Sequence, residues 1–219
     1  MRFEEFLPKL EGAFDDFPRS EHPRDRRFAE VLEAVPGLAR ENNLALLNVA
    51  ASLLEPGESY VEVGTFKGTS LIAAMLGNDG DFVGIDNFSF SDGSREELAA
   101  NLERFGCSRA EILEGDAFEL LRSGVLAGHQ IAVYYYDNGH EYEQQLDGLR
   151  LVEPHLTSPA LMIVDDTDWE RVARATTDYL AEQSRARLLL EIVGADRGQA
   201  WWWEGVHVFV WDGPPASLP

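Results

Sequence analysis

Apolar residues recur first at helical spacing and then, beyond Leu54, in short runs. The early spacing predicts amphipathic helices near Asp25–Ala34 and Leu38–Leu54, separated by the breaker pair Pro36-Gly37. Ahead of them, residues 1–24 interleave Phe3, Phe6, Phe14 and Phe17 with acids and with Pro8, Pro18 and Pro23. These aromatics need a surface to cover, so the segment reads as an N-terminal lid or packing arm. After Leu54, seven β-branched or aromatic runs read as strands: Tyr60–Val63, Phe82–Ile85, Glu111–Leu113, Ile131–Tyr136, Ala160–Val164, Leu188–Val193 and Val206–Trp211. Helical stretches separate them near Thr69–Met75, Ser94–Phe105, Ala117–Leu121, Tyr142–Val152 and Trp169–Gln183. This alternation predicts an α/β fold, a doubly wound, seven-stranded and mostly parallel sheet with helices on both faces. Only Gly194–Gly205 joins the last two strands, too little for a crossover helix, so a final antiparallel hairpin is expected. No repeat or linker divides the chain, and residues 1–219 are expected to form one domain.

Composition narrows the range of functions. With 45% apolar, 11% aromatic and 26% charged residues, the 219-residue chain is globular rather than disordered or collagenous. Eighteen Lys and Arg against 39 Asp and Glu give a net charge of −21, which repels nucleic-acid backbones and anionic membranes while mildly favouring cations. Cys107, alone, forms no intramolecular disulfide, and the opening Met1-Arg2-Phe3-Glu4-Glu5 lacks the basic-then-apolar run of a signal peptide. No apolar stretch approaches about 18 residues. A soluble cytoplasmic protein is expected, with homo-oligomerisation left open.

The first strand runs into Val61-Glu62-Val63-Gly64-Thr65-Phe66-Lys67-Gly68-Thr69-Ser70, a strand, tight turn and helix start. Ligands of open parallel sheets bind at the carboxyl ends of strands, where Gly64 and Gly68 permit close backbone approach. Asp86, at the end of the second strand, stands 22 residues after Gly64, the placement of an acid that holds ribose hydroxyls. A dinucleotide fingerprint needs glycine at position 66, where this chain has Phe66, so a dinucleotide oxidoreductase fits badly. Glu62, Gly64 and Gly68 instead resemble motif I of class I S-adenosylmethionine-dependent methyltransferases, whose fold is Rossmann-like. That resemblance implies S-adenosylmethionine as cofactor, with Glu62, Gly64, Thr65, Gly68, Asp86, Asn87, Asp116, Ala117 and Asp137 around it. Asp116 and Ala117 follow the third strand, where family members commonly place an acid near the adenine. The bland alternative makes Gly64 and Gly68 turn residues, and Asp86 and Asp116 helix caps.

The fourth strand ends in Asp137-Asn138-Gly139-His140 and the fifth in Asp165-Asp166-Thr167-Asp168. Parallel topology makes these ends neighbours, and three converging carboxylates call for a neutralising cation such as Mg²⁺ or another divalent metal. The arrangement resembles metal-dependent O-methyltransferases of the catechol and caffeoyl-CoA type and of the macrocin and mycinamicin sugar type. This implies Asp137, Asp165 and Asp166 as metal ligands, His140 as general base, and a small-molecule acceptor with vicinal oxygens: a sugar, polyketide or catechol. Arg40–Leu44 looks like the segment that the sugar subgroup sets beside the amino-acid end of the cofactor. Left open are helix capping by Asp165–Asp168, a structural His140, a metal-independent methyltransferase and a non-catalytic cofactor binder. Trp201-Trp202-Trp203 either lines an acceptor pocket or packs the final hairpin.

Overall fold

Seven strands carry the fold in a computed structural model that describes residues 1–194 and 197–213: β1 (Glu58–Val63), β2 (Asp81–Asp86), β3 (Glu111–Glu114), β4 (Gln130–Tyr136), β5 (Leu156–Asp165), β6 (Ala186–Ile192) and β7 (Val206–Trp211). Positions 195 and 196, inside the expected hairpin connection, and 214–219 lie outside the described residues. The strands form one sheet in the order β3-β2-β1-β4-β5-β7-β6. Pairing is parallel from β3 to β5, and β7 runs antiparallel to both β5 and β6. The expected hairpin is therefore present, with its second strand inserted beside β5 and β6 left at the edge.

Eight helices flank the sheet: α1 (Phe6–Gly12), α2 (Arg27–Ala34), α3 (Glu41–Ala51), α4 (Thr69–Met75), α5 (Arg95–Arg104), α6 (Ala117–Ser123), α7 (Tyr142–Val152) and α8 (Glu170–Glu182). Successive strand residues point to opposite faces, which divides the core in two. In β4, Val133 and Tyr135 join the cluster under α1 to α5, while Tyr134 and Tyr136 join the one under α6 to α8. Every residue of β1 and β7 is buried, polar Glu58, Ser59, Glu62 and His207 included, as expected of strands covered on both sides. The edge strand β3 has no buried residue.

The N-terminal segment packs inward. Phe6, Leu10 and Phe14 are buried in the first cluster, and Phe14 and Phe17 stand 5.9 and 6.0 Å from the ring of Trp202. That indole is fully buried and donates its Nε1–H to the Pro18 carbonyl at 2.8 Å. Of the two readings of the Trp run, Trp202 thus takes the packing one. Trp202→Ala should cost about 3–5 kcal/mol, the usual range for emptying a large buried aromatic site. Urea unfolding measures this, and a loss below about 1 kcal/mol would show that the indole is not a keystone of this contact.

The second predicted helix begins only at Glu41, because Arg40 is extended (φ −115°, ψ 160°). The freed segment Gly37–Ala39 crosses α4 closely: a Cβ on Gly37 would lie 2.4 Å from Thr69 Oγ1, and that hydroxyl donates to the Val35 carbonyl at 2.9 Å.

Candidate active site

The carboxyl ends of β1, β2, β4 and β5 meet along one edge of the sheet. After β1 the chain turns at Gly64, which has φ +95° and donates its N–H to the Ile85 carbonyl at 2.9 Å. A Cβ there would stand 1.8 Å from the Asp137 carbonyl oxygen, so only glycine lets the β1 turn touch the β4 exit. The Asp137 N–H reaches back to the Val63 carbonyl at 2.9 Å. Phe66 donates its N–H to Asp86 Oδ2 at 2.7 Å, and Phe88 donates to Asp86 Oδ1 at 2.6 Å. Asp86 thereby ties two loops together while each oxygen keeps lone-pair capacity for a ligand hydroxyl. Glu62 lies beneath this surface, fully buried, accepting from Ser70 Oγ at 2.6 Å and Tyr60 OH at 2.8 Å. Its influence on the site passes through Ser70 in the first turn of α4.

A cavity of about 380 Å³ opens above these turns, a size ordinary for small-molecule sites. Its walls include Gly64, Thr65, Asp86, Asn87, Asp137 and His140, joined by Gly37–Ala39, Ser70, Phe90 and Tyr135. The buried Thr65 Oγ1 has no hydrogen-bond partner. Gly68, at φ +93°, opens α4. Asp116 and Ala117 are not among the lining residues: Asp116 accepts from the Glu119 N–H at 3.0 Å and caps α6, and Ala117 is buried beside it.

Asp137 and His140, on the cavity wall, and the buried Asp166 behind them bring one ligand atom each within 4.8 Å of one another. His140 Nε2 lies 3.3 Å from Asp166 Oδ2, and the imidazole meets the Trp169 ring edge-on with centroids 4.9 Å apart. Asp165 is held differently: its Oδ2 accepts from Tyr135 OH at 2.6 Å, while its buried Oδ1 has no partner. His140 thus joins two of the three expected acids, while the Tyr135 hydroxyl links the third, Asp165, to Asp137 Oδ2 at 3.4 Å. Capping does not describe these acids, since Trp169 is the N-cap of α8 and that helix has no side-chain cap. Asp168 accepts from the Gly194 N–H at 2.9 Å, pinning the β6–β7 connection to the end of β5.

Burial and neighbouring acids push Asp137 well above the usual carboxylate range, Asp165 up to about 6 and Asp166 up to about 8. Burial, then the positive charge of Arg171, lowers His140, which leaves a neutral imidazole at neutral pH. Positive charge among the three carboxylates would reverse their shifts.

Residues 61–167 match the family model described as a methyltransferase domain. Among solved structures of the same fold is the O-methyltransferase TomG from Streptomyces achromogenes, involved in tomaymycin synthesis and determined with SAM. It is 18% identical over 97% of this chain and 100% of that one, with a TM-score of 0.66. An O-methyltransferase from Bacillus cereus in complex with SAH is 15% identical over 87% and 92%, with a TM-score of 0.62. CalS11, a TDP-rhamnose 3'-O-methyltransferase of calicheamicin biosynthesis, is 19% identical over 96% and 94%, with a TM-score of 0.60. At these identities the likeness is one of fold, and it agrees with the expected Rossmann-like methyltransferase architecture. No curated protein matches the chain in sequence.

The matched region runs from within β1 to the turn after β5. Sequence reasoning missed Gly37–Ala39 and Tyr135 as wall residues. The resemblance pointed to Arg40–Leu44, a short step away, of which Asn43 and Arg40 contact the Trp-rich connection. Asn43 Oδ1 accepts from the Trp203 N–H at 3.0 Å, and the Arg40 guanidinium stands 5.9 Å from the Trp203 ring. The Pro36-Gly37 breaker was the available signal for a loop at this point.

Glu62 also makes a prediction about stability. Burial raises it from 4.5 to about 8, so the folded state holds a proton that the unfolded chain releases above pH 4.5. Its contribution is fully present below pH 4.5 and is lost as pH rises toward 8, by up to about 1.4 kcal/mol per pH unit. Glu62→Gln should flatten part of the fall in urea stability between pH 5 and 8 in EDTA. A variant with an unchanged slope would overturn the assignment.

Proposed function

We propose that this chain is an S-adenosylmethionine-dependent O-methyltransferase acting on a small-molecule hydroxyl, with a divalent cation such as Mg²⁺ beside the acceptor. The observation that carries the reading is the convergence of Asp166 with Asp137 and His140, two wall residues of the glycine-floored cavity. TomG and the Bacillus cereus enzyme, both named O-methyltransferases, were determined with SAM and SAH, which supports that cofactor here. CalS11 acts on a sugar hydroxyl, which supports a small-molecule acceptor. With no helix among the described residues long and apolar enough to cross a membrane, a cytoplasmic single-domain enzyme is the matching proposal.

The donor set suits both groups. Asp86 offers lone pairs to ribose hydroxyls, the Thr65 hydroxyl is free to bond, and acids nearby favour a sulfonium cation over a pyrophosphate. Asp137 and Asp166 are hard oxygen donors, and the unpartnered Oδ1 atoms of Asp165 and Asp166 offer further ligand positions. A cation so held supplies Lewis acidity that lowers the pKa of a chelated hydroxyl. His140, neutral and oriented by Asp166, takes the hydroxyl proton. In-line transfer of the cofactor's methyl to that oxygen would need no covalent enzyme intermediate.

The His140–Asp166 contact favours a second reading, a metal-independent transferase in which the carboxylate only orients the base. Calorimetry with S-adenosylhomocysteine and with NAD⁺, each with and without Mg²⁺, tests both. S-adenosylhomocysteine alone should bind. Binding of NAD⁺ instead would overturn the main reading, and methyl transfer indifferent to Mg²⁺ and EDTA would leave the second.

A further inference from the structure

A second cavity lies immediately behind the His140–Trp169 pair. It also encloses about 380 Å³ and is lined by Tyr142, Trp169, Glu170, Arg171 and Arg174. Trp169 belongs to its wall, while the same indole packs against His140, a wall residue of the cofactor cavity, with centroids 4.9 Å apart. The two cavities are therefore adjacent, a wall residue of one touching a wall residue of the other.

The second cavity differs in charge from the rest of a chain that carries −21 overall. Arg171 stands 5.7 Å from the Trp169 ring and Arg174 5.0 Å from the Tyr142 ring, so two guanidinium groups and two aromatic faces frame one space. Helix α8 starts here with no side chain capping its N-terminus, which leaves first-turn N–H groups and the positive end of its dipole on the same side. Acids are present as well: Arg171 pairs with Glu141 at 2.9 Å, Arg174 with Asp178 at 3.8 Å, and Tyr142 OH donates to Asp178 at 2.8 Å. These ion pairs are exposed and of the kind that contributes little. Each guanidinium has five N–H donors, so a bidentate oxyanion can join or displace such a partner.

We infer that this cavity is the distal half of the acceptor site and that the acceptor carries an oxyanion, a carboxylate or phosphate, about one ring's length from the hydroxyl that is methylated. The inference rests on the methyl-transfer reading for calling its ligand the acceptor. A hydroxyl beside His140 places the remainder of a small ring toward Trp169, over whose ring the Arg171 guanidinium stands at 5.7 Å.

The test uses the full chain, with and without S-adenosylhomocysteine, in low-salt calorimetry. One arm compares 3,4-dihydroxybenzoate with 3,4-dihydroxybenzamide, and the other compares glucose 1-phosphate with methyl glucoside. In at least one arm the anion should bind about tenfold more tightly than its neutral partner, and the responding arm tells carboxylate from phosphate. The advantage should shrink with added salt and vanish in Arg171→Gln/Arg174→Gln, whose melting temperature and S-adenosylhomocysteine affinity should stay unchanged. No anionic preference in either arm, or a preference surviving in the double variant, overturns the inference. Failure to bind S-adenosylhomocysteine sinks the methyl-transfer reading separately, because the anion comparison is also read without it.

Discussion

Gly64→Ala should reduce S-adenosylhomocysteine binding and methyl transfer by at least two orders of magnitude, while the protein still folds. Two costs combine at this position. Alanine at φ +95° is in a conformation worth about 1–2 kcal/mol of strain. The larger cost is displacement, because the new methyl would sit 1.8 Å from Asp137 O and 2.8 Å from Asp137 C, both backbone atoms with no rotamer to yield. Relief requires β1 and β4 to part at their carboxyl ends, which breaks the Asp137 N–H bond to the Val63 carbonyl and moves the Asp137 side chain. Shifts near 1 Å in a positioned group cost about 10²-fold. Gly124→Ala is the control: its φ is +77°, but a Cβ there meets nothing within 4 Å, so it carries the strain without the displacement. Similar binding losses in the two variants, or a Gly64→Ala protein within threefold of wild type, would show that close approach is not what the glycine provides.

The contrast between fold and site follows from the range of the forces involved. Strands such as Val206–Trp211 and helices such as Thr69–Met75 and Tyr142–Val152 were legible to the residue, because their apolar periods and flanking breakers are local. Leu156–Asp165 began four residues before its expected start, since pairing of Leu156 with Ile131 recruits a polar stretch that has no strand pattern of its own. The strand insertion that puts β7 beside β5 is a long-range pairing with no local signal. At the site, topology alone brings Asp137 and Asp166 together, and that was readable from the strand order expected of a parallel sheet. The side-chain contacts of these acids were not readable, because they turn on the Tyr135 hydroxyl, which reaches both Asp137 and Asp165 from within β4. For Asp116, the acid at the expected turn spends its carboxylate on the α6 amides.

The acid limb of the pH–rate profile should move with Mg²⁺ concentration. Asp166 is pushed up to about 8 by burial and by Asp165, so near neutral pH it is protonated in most molecules unless a cation displaces the proton. Metal binding then releases protons, and affinity rises with pH up to that value. At limiting Mg²⁺ the rate should climb through pH 8. At saturating Mg²⁺ Asp166 is already ionised, and the limb should fall to the remaining group that must be unprotonated, His140, whose own value lies below 6.5. His140→Gln should lower kcat by about 10²- to 10⁴-fold and remove that lower limb. Asp166→Asn should lower apparent Mg²⁺ affinity and abolish the upper one. A limb that stays put from micromolar to millimolar Mg²⁺ would eliminate the cation from the reaction, and a His140→Gln enzyme retaining both rate and lower limb would eliminate the base. If the limb moves with Mg²⁺ while His140→Gln keeps it, the imidazole is a metal ligand and the proton leaves by another route. The geometry admits that outcome, since Nε2 lies within the 4.8 Å cluster.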